Sequence, residues 1–392
     1  MTTIYDRPEH ADLREQVARF VAREVEPHAL AWDEAGMTPR DVLRKMGALG
    51  WLGLRYPAQY GGAEADMTTN VVFQEALSRC TSGGFVVTVL VHTDMAGPHL
   101  VHAGSPAQLE RWLPKITRGE CITAVAVTEP DAGSDVAAIR TRARFVQDSA
   151  GDGYVIDGAK MFITNGVHAD LVFVAARTGD SADPAAKGSR GISIFAVERG
   201  TPGFRVGRAL KKQGWLASDT AELVFEGCRV PAANRLGEEN AGFYAIMKNF
   251  QVERIALGSM AVGHCLTALD LTWQYVTTRR AFGEPLWDKQ TIRQQLSMLA
   301  ARVAAARQLL YHCAWLVDAG QDAVREVSML KALTGELVND VTYACQQFHG
   351  GMGYMRESPI ERLVRDARVL AIGGGATEVM LEEVAKRFAV PA

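Results

Sequence analysis

Val125-Ala-Val-Thr-Glu-Pro-Asp-Ala-Gly-Ser-Asp135 is the stretch at which the sequence changes from a helical to a β-strand pattern. It begins as a strand and runs into a turn that exposes Thr128, Ser134 and several backbone N–H groups. Small polar donors on a turn suit an anionic ligand such as a phosphate. An ordinary strand that ends in a surface turn has the same composition, so the stretch alone marks a boundary in the fold without assigning a function.

The sequence before this boundary has a helical repeat. From about residue 8 to residue 120, apolar residues recur at the spacing of one helix face, as at Leu13, Val17, Phe20 and Val21. We therefore predict an N-terminal helical domain over residues 1–120.

Short runs of β-branched and aromatic residues follow the boundary. They begin at Thr123, Tyr154, Asp170 and Ile192 and are separated by Gly, Asp and Pro, which is typical of strands joined by turns. We predict a middle β-domain over residues 121–230, and therefore an α+β fold.

The last part of the chain returns to helical spacing in long segments. They cover about 241–279, 290–319 and 323–349, and a shorter pair follows Pro359. A helix of about 38 residues is ~57 Å long, which is too long to be stable unless it packs against other helices. We predict an antiparallel four-helix bundle over residues 231–392.

Composition excludes several classes of protein. The chain has 392 residues and a net charge of -3, so it lacks the basic excess of a general nucleic-acid binder. Its six cysteines show no C-x-x-C spacing, which argues against a zinc site or a disulfide framework. We see no targeting segment at the N-terminus and no apolar run near the ~20 residues that span a bilayer. We therefore expect a cytoplasmic protein that does not insert into membranes.

Common catalytic signatures are missing from the sequence. There is no G-x-x-x-x-G-K-[ST] loop, and no G-x-G-x-x-G lies between a strand and a helix. The G-x-S-x-G elbow and the H-E-x-x-H metal motif are also missing. These absences argue against a P-loop or Rossmann enzyme, an α/β-hydrolase and a zinc protease.

Five motifs, taken in order, identify a resemblance instead. They lie at 46–62, 128–135 (T-E-P-x-A-G-S-D), 162–166 (W-I-T-N-G), 279–283 (R-x-x-F-G) and 347–354 (Q-x-x-G-G-x-G-[YF]). Over nearly its whole length the chain resembles the acyl-CoA dehydrogenase family, which implies a barrel-like middle domain. Phe162 replaces the usual Trp and Met46 replaces a Leu, and neither change affects the chemistry.

The resemblance implies FAD as the cofactor and a set of residues to bind it. One group holds the isoalloxazine and the pyrophosphate, and Thr164 hydrogen-bonds near flavin N5. That group is Val125, Val127, Thr128, Gly133, Ser134, Phe162, Ile163 and Thr164, with Thr377 and Glu378 on the adenosine side. A second group, supplied by a neighbouring subunit, consists of Arg279, Phe282, Gln290, Gln347, Phe348, Gly350 and Gly351. The resemblance therefore also implies an oligomer, usually a homotetramer.

The acyl-CoA would contact a third group of residues. Ser189 and Arg190 match a contact to the nucleotide end of coenzyme A, where a guanidinium is a suitable phosphate donor. The full group implied by the resemblance is Ser134, Ser189, Arg190, Tyr244, Val252, Arg254 and Gly375.

Two residues are candidates for the catalytic base. Many family members carry a Glu in an I-Y-E-G-T segment, but Gly374 occupies that position here. Glu253 lies in Gln251-Val-Glu-Arg254 and resembles the base of the long-chain and isovaleryl branches, which have a small residue at the C-terminal position. Glu378 is the second candidate, although it matches a cofactor contact. We predict that Glu253 is the base and that Gly374 retains a backbone N–H for the thioester oxygen.

The resemblance implies a reaction and its competitors. Glu253 would take the α-proton of an acyl-CoA while a β-hydride passes to the flavin, giving a trans-2-enoyl-CoA. Electrons would leave to an electron-transfer flavoprotein, and the substrate would be a medium-to-long or branched acyl-CoA. The alternatives are a flavin-dependent oxidase or monooxygenase on the same scaffold, and a non-catalytic member of the family.

Overall fold

The N-terminal region is helical, as the sequence predicts. The computed structural model describes residues 3–149, 151–179 and 188–388. Caps explain where several helices begin: the side chain of Asp66 accepts a hydrogen bond from the N–H of Thr69, and Ser105 forms a capping box with Gln108. The helices are α1 (Pro8–Phe20), α2 (Ala29–Ala35), α3 (Arg40–Ala48), α4 (Met67–Leu77), α5 (Gly83–Leu90), α6 (Gly97–Ala103) and α7 (Pro106–Thr117).

The middle region forms one eight-stranded sheet. Its strands are β1 (Thr123–Ala126), β2 (Arg142–Asp148), β3 (Gly151–Thr164), β4 (Leu171–Arg177), β5 (Ile192–Glu198), β6 (Phe204–Ala209), β7 (Thr220–Pro231) and β8 (Arg235–Leu236). They lie in the order β6-β7-β3-β2-β4-β5-β8, and β1 pairs in parallel with β4. Because β4 and β5 are covered on both faces, they are apolar runs without alternation.

The C-terminal region consists of long helices packed on one another. They are α8 (Gly242–Thr278), α9 (Gln290–Asp318), α10 (Val324–His349), α11 (Pro359–Ala367) and α12 (Thr377–Ala385), and a short hairpin of β9 (Arg280–Ala281) and β10 (Glu284–Pro285) joins the first two. Helix α10 packs against α8, α9, α11 and α12. The predicted α+β class is confirmed.

One expectation about α8 needs correction. By length and composition this helix could cross a membrane, although the sequence suggested that no segment could. However, the rest of the protein buries 78% of the apolar 18-residue stretch in this helix. Its apolar surface is therefore explained by packing against α4, α9 and α10.

Buried charges join the three regions. The Oδ2 atom of Asp366 on α11 accepts from the N–H of Gly83 at 2.9 Å, and its Oδ1 atom accepts from the N–H of Trp215 in the middle region. Asp33 on α2 accepts from the N–H of Ala217 at 3.0 Å and from Nη2 of Arg365 on α11 at 3.2 Å. Since each of these carboxylates is satisfied by more than one region, they fix how the helices sit on the sheet.

Candidate active site

The turn that follows β1 and the end of β3 are held together by hydrogen bonds. The N–H of Met161 donates to the carbonyl oxygen of Thr128 at 2.9 Å, and Nζ of Lys160 donates to the carbonyl oxygen of Val127 at 2.9 Å. The two motifs that the sequence separates by some thirty residues, which carry Thr128 and Phe162, therefore form one surface.

A buried ion pair supports this surface. The Nζ atom of Lys160, which is fully buried, lies 2.8 Å from Oε1 of Glu129. Burial lowers the pKa of Lys160 to about 8, against the opposing effect of Glu129. Burial also raises the pKa of Glu129, but Lys160 and hydrogen bonds from Thr141 and Arg140 outweigh it and hold that pKa below its ordinary value.

The exposed face of this surface suits a flat aromatic ligand. Phe162 is 65% exposed and has a φ of 61°, a left-handed conformation that is strained for a bulky residue. A methyl group added at the exposed Gly133 would meet only Thr128, at 3.9 Å. Ile163 is buried beneath the surface, and Thr164 pairs with Thr220 of β7. An aromatic ring held outward beside an open turn fits a flat aromatic group such as a flavin.

Glu253 and Gly374 lie side by side. A Cβ atom placed on Gly374 would lie 3.5 Å from Oε1 of Glu253 and would overlap the Cδ1 atom of Leu257. Glu253 and Leu257 are one turn apart on α8 and therefore face the same way. The φ of Gly374 is 67°, so this position also has the left-handed backbone that favours glycine.

The environment of Glu253 suits a base. Burial raises the pKa of its carboxyl to about 7, although Arg254 and Lys331 oppose the shift. Burial lowers the pKa of Arg254, whose guanidinium lies over the ring of Phe250 at 5.5 Å. Glu378 differs, since it is an exposed residue in the first turn of α12. A base that works near neutral pH is best served by a pKa near 7, which favours Glu253 over Glu378.

Comparison with known proteins identifies the family. The sequence matches the family descriptions "Acyl-CoA dehydrogenase, N-terminal domain" over 7–120, "Acyl-CoA dehydrogenase, middle domain" over 124–228 and "Acyl-CoA dehydrogenase, C-terminal domain" over 240–389. The chain belongs to the acyl-CoA dehydrogenase family. The resemblance seen in the five motifs is confirmed, as are the fold and the assignment to acyl-CoA dehydrogenase oxidoreductases. Membership implies a flavin cofactor.

Individual relatives extend over nearly the whole chain. The long-chain specific acyl-CoA dehydrogenase of Mus musculus is 40% identical over 97% of this chain and 86% of its own length. The isovaleryl-CoA dehydrogenase of Pongo abelii is 36% identical over 97% of this chain and 88% of its own. The acyl-CoA dehydrogenase of Geobacillus kaustophilus has a solved structure with a TM-score of 0.93 and 41% identity, covering 99% of this chain and all of that one.

The segments that carry the predicted coenzyme A contacts of this acyl-CoA dehydrogenase meet at the start of α8. A bridge between Ile192 and Ala241 places the segment that carries Ser189 and Arg190 beside the start of α8. Tyr244, which is 61% exposed, lies in the first turn of that helix. Glu253 follows Tyr244 by nine residues, about 14 Å along the helix.

The remaining predicted FAD contacts lie elsewhere in this acyl-CoA dehydrogenase. Arg279 follows Glu253 by 26 residues of α8, so it is about 39 Å away along the helix axis. Stacking of Tyr275 on His349, with ring centroids 4.4 Å apart, brings the end of α10 to the same place. The second group of predicted FAD contacts therefore lies together at the ends of α8 and α10, and within one chain it is far from Glu253. The group is Arg279, Phe282, Gln290, Gln347, Phe348, Gly350 and Gly351.

Three residues at the site were not among those predicted. Glu129 lies inside the motif at 128–135 and Lys160 lies two residues before the motif at 162–166, and a buried ion pair could have been suspected from two opposite charges beside apolar strands. Lys331 lies on the apolar stripe of α10 with Val327 and Leu330. A charge on a buried stripe requires a partner, and that pattern was the available signal.

Proposed function

We propose that this acyl-CoA dehydrogenase binds FAD and oxidises a medium-to-long or branched acyl-CoA to the trans-2-enoyl-CoA, with Glu253 as the base. The observation that carries the proposal is the position of the Glu253 carboxylate in the space beside Gly374. A flavin supplies the hydride acceptor for such a reaction.

Each residue contributes a separate step. Glu253 takes the α-proton, and a pKa of about 7 leaves about half of it ionised at neutral pH. The backbone N–H of Gly374 would donate to the thioester oxygen, where charge develops as the proton leaves. Arg190 and Tyr244 bind the coenzyme A end, while Ser134, Ser189, Val252, Arg254 and Gly375 line the path between them.

Gly374 alone does not determine whether the enzyme prefers straight or branched acyl chains. The missing side chain at this position leaves no free room, because Leu257 and Glu253 fill the space. Selection between straight and branched chains must therefore come from the rest of the pocket, and both remain in the proposal.

A second subunit completes the cofactor site in this proposal. Arg279 lies about 39 Å from Glu253 along α8, which supports a cofactor site that a second copy of the chain completes. Exposed apolar side chains near the second group support contact with another copy; they are Phe282, Met298, Tyr343, Met352 and Tyr354. We infer a homotetramer in the cytoplasm that passes electrons to an electron-transfer flavoprotein.

Anaerobic flavin reduction tests the proposal. The purified protein, loaded with FAD, is mixed with straight and branched acyl-CoAs, and we expect its flavin absorbance to bleach while a trans-2-enoyl-CoA forms. Glu253→Gln provides the control, since it retains shape and removes the proton acceptor. Failure of every acyl-CoA to bleach the flavin, or fast turnover driven by oxygen alone, would contradict the proposal.

A further inference from the structure

A single buried lysine lies behind the turn that carries Gly374. Lys331 is 1% exposed, and its Nζ atom donates to the carbonyl oxygens of Leu370 at 2.7 Å and of Gly375 at 2.9 Å. The two acceptors bracket the turn, so one ammonium from α10 ties both ends of it to the helix bundle.

The turn needs such an anchor. Gly374 and Gly375 both have left-handed backbone, with φ of 67° and 106°, and glycines at successive positions give the chain considerable freedom when it is not held. The N–H of Gly374 must nevertheless point at one place for the thioester oxygen. A charged donor forms stronger hydrogen bonds to carbonyl oxygens than a neutral one does.

The same ammonium acts on the base electrostatically. Lys331 lowers the pKa of Glu253, as does Arg254, whereas burial raises it. Burial and Arg254 lower the pKa of Lys331 to about 8, while Glu253 and Glu336 oppose the shift. Glu383 on α12 raises the pKa of Arg254, and Arg387, which follows that helix, lowers it.

We propose that Lys331 is a positioning residue for the dehydrogenation: its buried ammonium fixes the turn that carries Gly374 through two carbonyl oxygens. This inference rests on the proposed function, because it assigns Gly374 and Glu253 the roles given there. Lys331 does not contact the substrate itself.

Two substitutions separate the anchor from the charge. Lys331→Met removes both with little change in volume, and Lys331→Gln retains a neutral donor. For each variant, the rate of flavin reduction by acyl-CoA is measured as a function of pH. We expect the apparent pKa of the acidic limb to rise by about 0.5 to 1 pH unit in both variants, because a nearby cation no longer favours the carboxylate form of Glu253. We expect the affinity for trans-2-enoyl-CoA, measured by calorimetry, to fall about ten-fold in Lys331→Met and to recover in part in Lys331→Gln.

Asn339 offers a matched control on the same helix. Its Nδ2 atom donates to the carbonyl oxygen of Ala367 at 3.3 Å, so it is a neutral tether from α10 to the segment before the turn. Asn339→Leu should leave both the acidic limb and the affinity for the product as in the unmodified protein. If Asn339→Leu changed the acidic limb and the product affinity as much as Lys331→Met does, the effect would come from a general loss of packing around α10, and the inference would be overturned.

The outcomes separate the inference from the proposed function. If the unmodified protein reduces no flavin with any acyl-CoA, the proposed function fails. If it does so and Lys331→Met retains both the acidic limb and the product affinity, only the role of Lys331 fails. A measurement without variants covers the case in which neither variant folds: product affinity should decline as the pH rises through the pKa of Lys331, about 8, because a neutral amine donates weaker hydrogen bonds to the two carbonyl oxygens than an ammonium does. A constant affinity from about pH 7 to about pH 10 would overturn the inference.

Discussion

Replacing Gly374 by Ala tests how closely the turn that carries this glycine packs against Leu257 and Glu253 of α8. Two effects add at this site. A non-glycine residue with a φ of 67° costs about 1–2 kcal/mol, because its Cβ crowds the backbone. The new methyl also overlaps Cδ1 of Leu257, and overpacking of this kind costs about 1–3 kcal/mol. We therefore expect a loss of stability of about 2–5 kcal/mol.

Gly36→Ala isolates the backbone contribution. Gly36 has a φ of 73°, close to that of Gly374, but no heavy atom lies within 4 Å of a Cβ placed there. Its loss should be about 1–2 kcal/mol, and the difference between the two variants measures the overlap with Leu257. Urea unfolding, followed by tryptophan fluorescence at one protein concentration, compares them. Equal unfolding midpoints for Gly36→Ala and Gly374→Ala would refute the packing argument.

Leu257 also decides whether the base can be moved back to the turn. Glu253→Gly with Gly374→Glu places a carboxylate at the family's other position, but its side chain must pass through the space that Leu257 fills. We expect this exchange to remain inactive in anaerobic flavin reduction, and we expect activity to return in part when Leu257→Ala is added. Full activity of the exchange with Leu257 intact would show that the leucine is no obstacle.

Three further predictions concern the charged groups. Glu253→Gln should slow flavin reduction by acyl-CoA by at least ~10², whereas Glu378→Gln should leave it largely intact; the opposite result in stopped-flow absorbance would transfer the role to Glu378. In the unmodified protein that rate should rise with pH through about 7, since Glu253 must be ionised, and a rate independent of pH between 6 and 8 would contradict this assignment. Lys160→Met removes the only cation paired with the buried Glu129 in the described residues and leaves it two backbone N–H donors; it should cost about 3 kcal/mol in urea unfolding, which the double variant with Glu129→Gln should largely recover.

The fold could be predicted from the sequence because its patterns are local. The change from helical to strand spacing at residue 121 and the return after Pro231 follow from side-chain periodicity, which depends on near neighbours in the chain. A search for one continuous apolar run did not single out α8, because polar residues such as His264 and Asp270 interrupt its apolar sequence; the helix is nevertheless apolar on average and is buried on several sides.

Only those site residues that lie in recognisable motifs could be predicted from the sequence. The sequence suggested that Glu253 compensates for Gly374, and the structure places the two together although 121 residues separate them. It could not indicate Leu257, because the overlap depends on how α8 packs against the turn. Nor did motif analysis single out Lys331, whose partners are backbone carbonyl oxygens and therefore leave no trace in residue type.

A base on a helix imposes different demands from a base on a turn. Glu253 is held by α8, which packs against α4, α9 and α10, so its position is set by the helix bundle and not by the glycine-rich turn. The turn then has to supply only a backbone N–H, and glycine can do so at a φ that other residues resist. What the turn loses in stiffness must be restored from outside, and the two hydrogen bonds from Lys331 on α10 do so from the bundle that also holds Glu253. In the proposed function, the base Glu253 and the N–H donor Gly374 are therefore both held by the same helix bundle.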